Sequence, residues 1–272
     1  MEKPEQRKII SIGIALKPGV RSKSMPYTGT LLSLERAMTK FKEKYPEYDF
    51  TDINPLTSGL IVRHSDVTSA RTQIYNKFVG THLFIIGSDH TIDEDALIKL
   101  FEADKLVVDA PTVKKKFPYE PAFGWIKKNA SIRWAVYNYD YDAQDIIGNS
   151  IIPVDVTGGC AILIKREVFD MVDCDVFGHL HERIRHRVKP ELFYSHDISF
   201  SMRLKAAGIQ PYMHMGIRCE HDTEMGYRWL DSHVQVLEQT FEYRHYFDDE
   251  IEDCNLILRE EQRKREKDAA KS

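Results

Sequence analysis

The chain has 272 residues, of which 42% are hydrophobic and 29% are charged, and its formal net charge at pH 7 is −4. These values are typical of an ordinary water-soluble globular protein with a sizeable core. No apolar run approaches the roughly 20 residues of a membrane span, which excludes a membrane-embedded chain. The weak negative charge gives no overall attraction to nucleic acid, although it does not exclude a local basic groove.

The N-terminus and the cysteines indicate the cell compartment. The apolar stretch over residues 9–16 is too short and too interrupted for a signal peptide. The cysteines are widely spaced and form no CxxC pattern, so we expect free thiols in a reducing compartment. They are Cys160, Cys174, Cys219 and Cys254. We therefore expect a cytoplasmic protein, in the host cytoplasm if the chain is viral.

The first 110 residues alternate between strand and helix patterns. Apolar runs predict strands over residues 8–16, 59–63, 83–86 and 105–108. Helical periodicity predicts helices over residues 30–44, 67–78 and 93–101. This alternation predicts an α/β fold with a mostly parallel central sheet flanked by helices and joined by right-handed crossovers.

The second half has a different pattern. Prolines and aromatic residues without a clear period over residues 111–152 predict loops and a smaller antiparallel element. A strand–turn–strand unit over 154–164, helices over 166–171 and 195–207 and a strand pair over 210–219 follow, and Gly208 is expected as a left-handed helix cap. We predict one domain over residues 1–257 and a charged tail over residues 258–272.

The segment Gly87-Ser88-Asp89-His90 directly follows the apolar run at 83–86. Polar groups just past the carboxyl end of a strand in an open α/β sheet lie where such sheets bind ligands. Asp89 and His90 are therefore candidates for holding a metal ion or a polar substrate. The alternative is that Ser88 and Asp89 only cap the next helix, and the strand alone does not decide between the two interpretations.

Two further segments carry possible chemistry. Thr157-Gly158-Gly159-Cys160 forms a glycine turn that lets backbone approach a ligand, or else an ordinary hairpin turn. His196-Asp197 begins a predicted helix and places a carboxylate at the helix mouth, where the dipole favours its charged form. Asp197 is therefore a candidate general base, with a simple helix cap as the alternative.

Four segments, in this order, resemble the GT-A nucleotide-sugar glycosyltransferases, and most closely their large inverting branch and their small phage-type or virus-type members. Each segment is weak alone, and together they cover about residues 60–222. The segments are Thr68 to Leu97 with the Gly87-Ser88-Asp89-His90 run, Val154 to Phe169 with the two glycines, Ser195 to Gly208, and Ile217-Arg-Cys-Glu-His221.

The resemblance implies an inverting transfer of a sugar from a UDP- or GDP-linked donor to an acceptor hydroxyl, assisted by Mn²⁺ or Mg²⁺. A divalent cation and cationic side chains would stabilise the charge of the leaving diphosphate. By the same resemblance, Asp89 and His221 bind the metal, Asp197 is the general base, Arg71, Ser88 and Asp89 bind the donor, and Gly158 and Gly159 line the sugar or acceptor region.

Two positions depart from the family pattern. The first aspartate of the family's metal motif is Gly87 here, so either His90 supplies an imidazole instead or metal binding is weak or absent. The glutamate that precedes the base is His196. The intact Asp197 favours an active enzyme over a catalytically degenerate sugar-nucleotide or glycan-binding protein, which is the main alternative. His214 is an alternative to His221 as the histidine ligand of the metal.

The fold also suits a nucleotidyltransferase, but no glycine-rich, lysine-containing loop of the usual kind follows the first strand. The acceptor is left open. A basic segment over residues 178–193, with three histidines and three arginines, is expected to face it and suits a polyanion. A nucleic acid, as for phage enzymes that glycosylate DNA bases, a phosphorylated glycan and a lipid-linked glycan all fit these charges.

Overall fold

The computed structural model describes residues 8–16, 26, 28–54, 56–64, 67–113, 121–126, 137–138, 141, 143–172, 177, 196–223 and 226–228. All of them lie in one compact unit, Met1–Leu230. The predicted tail over 258–272 and the basic segment over 178–193 lie outside the described residues, so the domain bounds stay a prediction. No helix in the described part of the chain is long and apolar enough to cross a membrane.

The secondary structure alternates through the first half as predicted. The helices are α1 (Thr28–Lys44), α2 (Val67–Lys77), α3 (Ala96–Glu102), α4 (Ala143–Ile147), α5 (Glu167–Met171) and α6 (His196–Ala206). The strands are β1 (Lys8–Leu16), β2 (Tyr48–Phe50), β3 (Ile61–Arg63), β4 (His82–Gly87), β5 (His90–Ile92), β6 (Val107–Asp109), β7 (Trp125–Ile126), β8 (Tyr137–Asn138), β9 (Ile151–Pro153), β10 (Ala161–Lys165), β11 (Tyr212–His214), β12 (Cys219–Thr223) and β13 (Gly226–Arg228).

The central sheet has eight strands in the order β2-β1-β4-β10-β6-β11-β9, with β3 paired to β1. Strand β1 pairs in parallel with β2, β3 and β4, and β6 pairs in parallel with β11. Strand β10 runs antiparallel to both β4 and β6, and β9 runs antiparallel to β11. The predicted mostly parallel α/β sheet is therefore confirmed.

Both faces of the sheet are covered by helices. Along β4, Phe84 and Ile86 face the core that contains α1 and α3, and Leu83 and Ile85 face the core that contains α2, α5 and α6. This alternation follows from the two-residue period of a strand, and it explains why β4 is apolar throughout. Gly13 lets helix α2 approach β1, since a Cβ at this position would lie 2.5 Å from the Cγ2 of Ile74.

A smaller antiparallel sheet, in the order β13-β12-β5, lies beyond the carboxyl end of β4. Strand β5 was not predicted, and the helix predicted to begin at Asp93 begins only at Ala96. His221 lies within β12 and is the direct register partner of His90 in β5. The pairing of β5 with β12 thus brings two distant histidines side by side.

Two sequence predictions for the second half are wrong. Residues 154–164 do not form a strand–turn–strand hairpin, because β9 pairs with β11 whereas β10 pairs with β4 and β6. Strands β11 and β12 do not pair with each other and belong to different sheets. In contrast, Gly208 has a φ of +72° two residues after the end of α6, which confirms the predicted left-handed cap.

Candidate active site

The carboxyl end of β4 leads into the short β5 strand through Ser88 and Asp89. The Thr30 hydroxyl of α1 donates a hydrogen bond to the Ser88 carbonyl at 3.1 Å, which attaches this turn to the helix. The next helix begins at Ala96, and its N-cap is Asp95 rather than Ser88 or Asp89. The helix-cap interpretation of Ser88 and Asp89 is therefore wrong.

Asp89, His90 and His221 form a group of potential metal ligands, here called the metal cluster. One ligand atom from each residue lies within 4.8 Å of the other two. The Oδ1 of Asp89 lies 3.0 Å from the Nδ1 of His90 and 3.7 Å from the Nε2 of His221. The two imidazole rings stack with their centroids 4.1 Å apart. A carboxylate and two imidazoles thus converge on one small region.

The orientation of His221 is set by a backbone contact. Its Nδ1 lies 2.9 Å from the carbonyl oxygen of Val113. Because a carbonyl can only accept, the proton of the neutral ring resides on Nδ1 and the lone pair on Nε2. Nε2 is the atom that faces Asp89. Metal-binding histidines have this arrangement, in which the second ring nitrogen donates to a carbonyl or carboxylate.

The glycine at position 87 and the histidine at position 90 are sterically linked. A Cβ atom on Gly87 would overlap the Nδ1 of His90, and His90 is only 4% exposed. The imidazole therefore fills the space that any side chain at position 87 would need. The absence of an aspartate at position 87 and the buried position of His90 therefore depend on each other, because both residues use the same space.

The glycine turn lies directly beside the end of β4. The Gly87 N–H donates to the Cys160 carbonyl at 2.8 Å, and Gly159 has a φ of +60°, a conformation that favours glycine. The turn is also held by strand β6, because Asp109, at the end of this strand, accepts a hydrogen bond from the Gly159 N–H at 2.7 Å. Burial raises the pKa of Asp109 to about 6.

Arg71 connects the glycine turn to the candidate base. Its Nη2 donates to the Gly159 carbonyl at 2.7 Å, and its Nη1 forms an ion pair with the Oδ1 of Asp197 at 2.9 Å. The Arg71 side chain is 7% exposed and the Asp197 side chain 26% exposed. The turn also contacts α6, since the Thr157 N–H donates to the Ser201 hydroxyl at 3.2 Å.

The structure thus brings the three predicted segments to one edge of the sheet. The donor role predicted for Arg71 stays a prediction, and the terminal nitrogens of this arginine contact Asp197 and Gly159. His214, the rival ligand, lies at the end of β11 and does not belong to the metal cluster. The side chain of His196 and the basic segment over 178–193 lie outside the described part of the structure.

The sequence analysis did not identify Asp109. Its signal is the one that marks Asp89, a carboxylate at the end of an apolar run, but the predicted strand stopped at Val108. His90 was named as a candidate ligand and as a substitute for the missing aspartate, but its contact with His221 depends on the pairing of β5 with β12. Both residues are buried, and the side chains and backbone groups that they contact are set by sheet pairing rather than by local sequence.

No family model matches the chain, and no curated protein matches it either. Among solved structures, the chain is similar to A197 from STIV at 13% identity, with 79% of this chain and 85% of that chain covered and a TM-score of 0.39. It is also similar to GalNAc-T7 crystallised with UDP, GalNAc and Mn²⁺, at 12% identity, over 79% of this chain and 43% of that chain, with a TM-score of 0.48.

A third similar structure is the catalytic domain of Drosophila beta1,4-galactosyltransferase 7 in complex with xylobiose, at 11% identity, over 76% of this chain and 65% of that chain, with a TM-score of 0.40. This chain therefore spans less than two thirds of the GalNAc-T7 and galactosyltransferase chains. All three likenesses are below 25% identity and have TM-scores below 0.5.

Proposed function

We propose that the chain is a glycosyltransferase that moves a sugar from a nucleotide-sugar donor to an acceptor hydroxyl, with a divalent cation at the metal cluster and Asp197 as general base. The observation that carries this proposal is the hydrogen bond from Gly87 to Cys160, which joins the metal cluster to the turn that Arg71 and Asp197 contact. Displacement at a sugar carbon needs both a cationic site for the leaving diphosphate and a base for the incoming hydroxyl.

The dimensions of the metal cluster fit a divalent cation. With metal–ligand bonds of about 2.1 Å, two ligands of one ion lie about 3.0 Å apart when they subtend a right angle at the ion and at most about 4.2 Å apart when they are opposite each other. The separations of 3.0 Å and 3.7 Å from the Asp89 oxygen to the two imidazoles lie in this range. In the neutral tautomer whose Nδ1 donates to the Val113 carbonyl, the Nε2 lone pair of His221 points toward Asp89. These three side chains would hold the ion.

The ligand types favour Mn²⁺ over Mg²⁺. Imidazole nitrogen binds transition metals better than it binds Mg²⁺, which prefers oxygen ligands and retained water. When bound, the cation supplies positive charge that stabilises the leaving diphosphate. The metal cluster leaves further coordination positions for donor oxygens, because it contributes only three ligands.

Asp197 is suited to remove the proton from an acceptor hydroxyl. About a quarter of its side chain is exposed, so a hydroxyl can approach, while Arg71 holds one of its oxygens in place. A base opposite the leaving diphosphate leads to inversion at the sugar carbon. Ser88 and the Gly158-Gly159 turn would border the donor sugar between these two groups.

The test is release of nucleoside diphosphate by the full-length chain from a panel of UDP- and GDP-sugars with Mn²⁺ and candidate acceptors. Replacing Asp197 by Asn is expected to lower kcat by at least about 100-fold, since general-base catalysis contributes about 10²–10⁴-fold. Asp155→Asn is the matched control, because Asp155 is 25% exposed and paired with Lys205 at 3.1 Å. Nucleotide binding without turnover on any donor would support the degenerate binding protein and contradict the enzyme.

The metal is tested separately, by Mn²⁺ binding measured with electron paramagnetic resonance. Loss of a residue that only supports a metal ligand weakens metal binding by about 10–100-fold. Because His221 would bind the ion directly, His221→Asn is expected to weaken Mn²⁺ binding by more than this. His214→Asn is the control, since this buried histidine lies outside the metal cluster. Equal losses in the two variants, or no loss in either, would refute the metal assignment.

A further inference from the structure

We propose that Asp109 is a positioning residue for Asp197, acting through the Gly159 peptide and the guanidinium of Arg71. The inference rests on the proposed function in so far as Asp197 is the base. The contacts themselves do not depend on it. Asp109 lies at the end of β6 and touches neither the base nor the metal cluster, so its effect has to pass through the glycine turn.

Asp109 is completely buried and accepts three backbone hydrogen bonds. Its Oδ1 accepts from the Ala110 N–H at 2.9 Å and from the Ala161 N–H at 3.1 Å, and its Oδ2 accepts from the Gly159 N–H at 2.7 Å. A buried carboxylate is costly unless such partners compensate it. Burial outweighs these hydrogen bonds and raises the pKa of Asp109 from 3.8 to about 6, so the group is still mainly charged at pH 7.

Both backbone polar groups of Gly159, the N–H and the carbonyl, are held by hydrogen bonds to side chains. Asp109 fixes its N–H, and Arg71 donates to its carbonyl at 2.7 Å. The residue has a positive φ, and a Cβ here would lie 2.7 Å from the Arg71 Nη1. Only glycine allows the turn to contact the guanidinium this closely. A shift of the Gly159 backbone therefore moves the atom that Arg71 contacts.

The guanidinium transmits this position to Asp197. Its nitrogens form a rigid planar fork, so the contact of Nη2 with Gly159 determines where Nη1 lies. Nη1 is the atom paired with Asp197, at 2.9 Å. The buried Arg71 cation thus pairs directly with Asp197, and its charge also lowers the pKa of Asp109. Loss of the Asp109 charge loosens the turn and lets the arginine and the base move together.

Replacing Asp109 by Asn in the full-length chain tests this directly. The single oxygen of Asn can still accept from Ala110 and Ala161, which leaves its NH₂ group facing the Gly159 N–H. We expect amide hydrogen exchange at Gly159 to accelerate by at least about tenfold while exchange at Ala161 changes by less than about threefold. This readout needs no enzymatic activity.

In the transfer assay, Asp109→Asn is expected to lower kcat by about 10–100-fold, with the KM for the donor and the Mn²⁺ affinity unchanged. Ser11→Ala is the control for general destabilisation, because Ser11 is also fully buried and donates to the Val79 carbonyl, far along β1 from the site. This variant should keep the wild-type kcat.

Hydrogen exchange at Gly159 tests the positioning contacts, and the transfer assay tests the transferase activity. Faster Gly159 exchange with no turnover in the wild type would support the contact chain and reject the transferase. Unchanged Gly159 exchange in Asp109→Asn would overturn the positioning role, as would a wild-type kcat in that variant. If kcat fell equally in Ser11→Ala, general destabilisation would explain the fall of kcat in Asp109→Asn, and the positioning role would be overturned as well.

Discussion

His82 is a buried histidine at the start of β4. The residue is 9% exposed, and its ring lies against the rings of Tyr48 and Phe101, with centroids 6.4 Å and 5.3 Å away. Burial, and to a smaller extent the charge of Lys165, lowers the pKa of His82 from 6.5 to about 4, with Asp104 acting in the opposite direction. The folded chain therefore keeps this ring neutral over a range in which the unfolded chain protonates it.

The sign of the effect follows from proton linkage. Between pH 6.5 and pH 4 the unfolded chain binds a proton at His82 that the folded chain does not, so the free energy of unfolding decreases as the pH falls. One pKa unit corresponds to about 1.4 kcal/mol, which gives a loss of about 2 kcal/mol between pH 8 and pH 5. Asp109 opposes this loss. Its pKa is raised from 3.8 to about 6, so the same change of pH restores about 1.5 kcal/mol.

Replacing His82 by Phe keeps a ring against Tyr48 and Phe101 and removes the titration. From pH 8 to pH 5 the variant should gain about 2 kcal/mol of unfolding free energy relative to the wild type. Urea denaturation of both proteins at the two pH values measures this, and other titrating groups cancel in the difference. A difference that changes by less than about 0.5 kcal/mol would refute the argument from burial, since independent effects add to within that margin.

Two further predictions use glycines with internal controls. Gly87→Ala should weaken Mn²⁺ binding by about 10-fold or more, because the new Cβ would overlap the imidazole of His90 in the metal cluster. Gly59→Ala should leave Mn²⁺ binding unchanged, because a Cβ at position 59 meets open space. Titration of both variants with Mn²⁺ measures the difference. Gly159→Ala and Gly208→Ala both place alanine at a positive φ, at a cost of about 1–2 kcal/mol of unfolding free energy. Only the first variant should also lose at least about tenfold in kcat, because its Cβ meets Arg71. Comparable kcat values for these two variants would contradict the role of the turn.

The elements that local pattern determines were predicted closely. Helix α2 begins at the predicted Val67, and β1 has the predicted bounds Lys8–Leu16. Both patterns arise from side chains a few residues apart, namely the apolar face of a helix and the apolar run of a central strand. The short β5 strand was missed, since three residues with no period form a strand only because β12 pairs with them.

The candidate site divides in the same way. The sequence already contained the polar residues after β4, the glycine pair and Asp197, because residue type and position at the end of an element are local properties. The tertiary structure decided which of these side chains meet. The ring of His90 lies over Gly87 and beside His221, and Arg71 reaches the base and the turn together. These contacts join segments far apart in the chain, and sheet pairing and helix packing, rather than any local pattern, bring those segments into register.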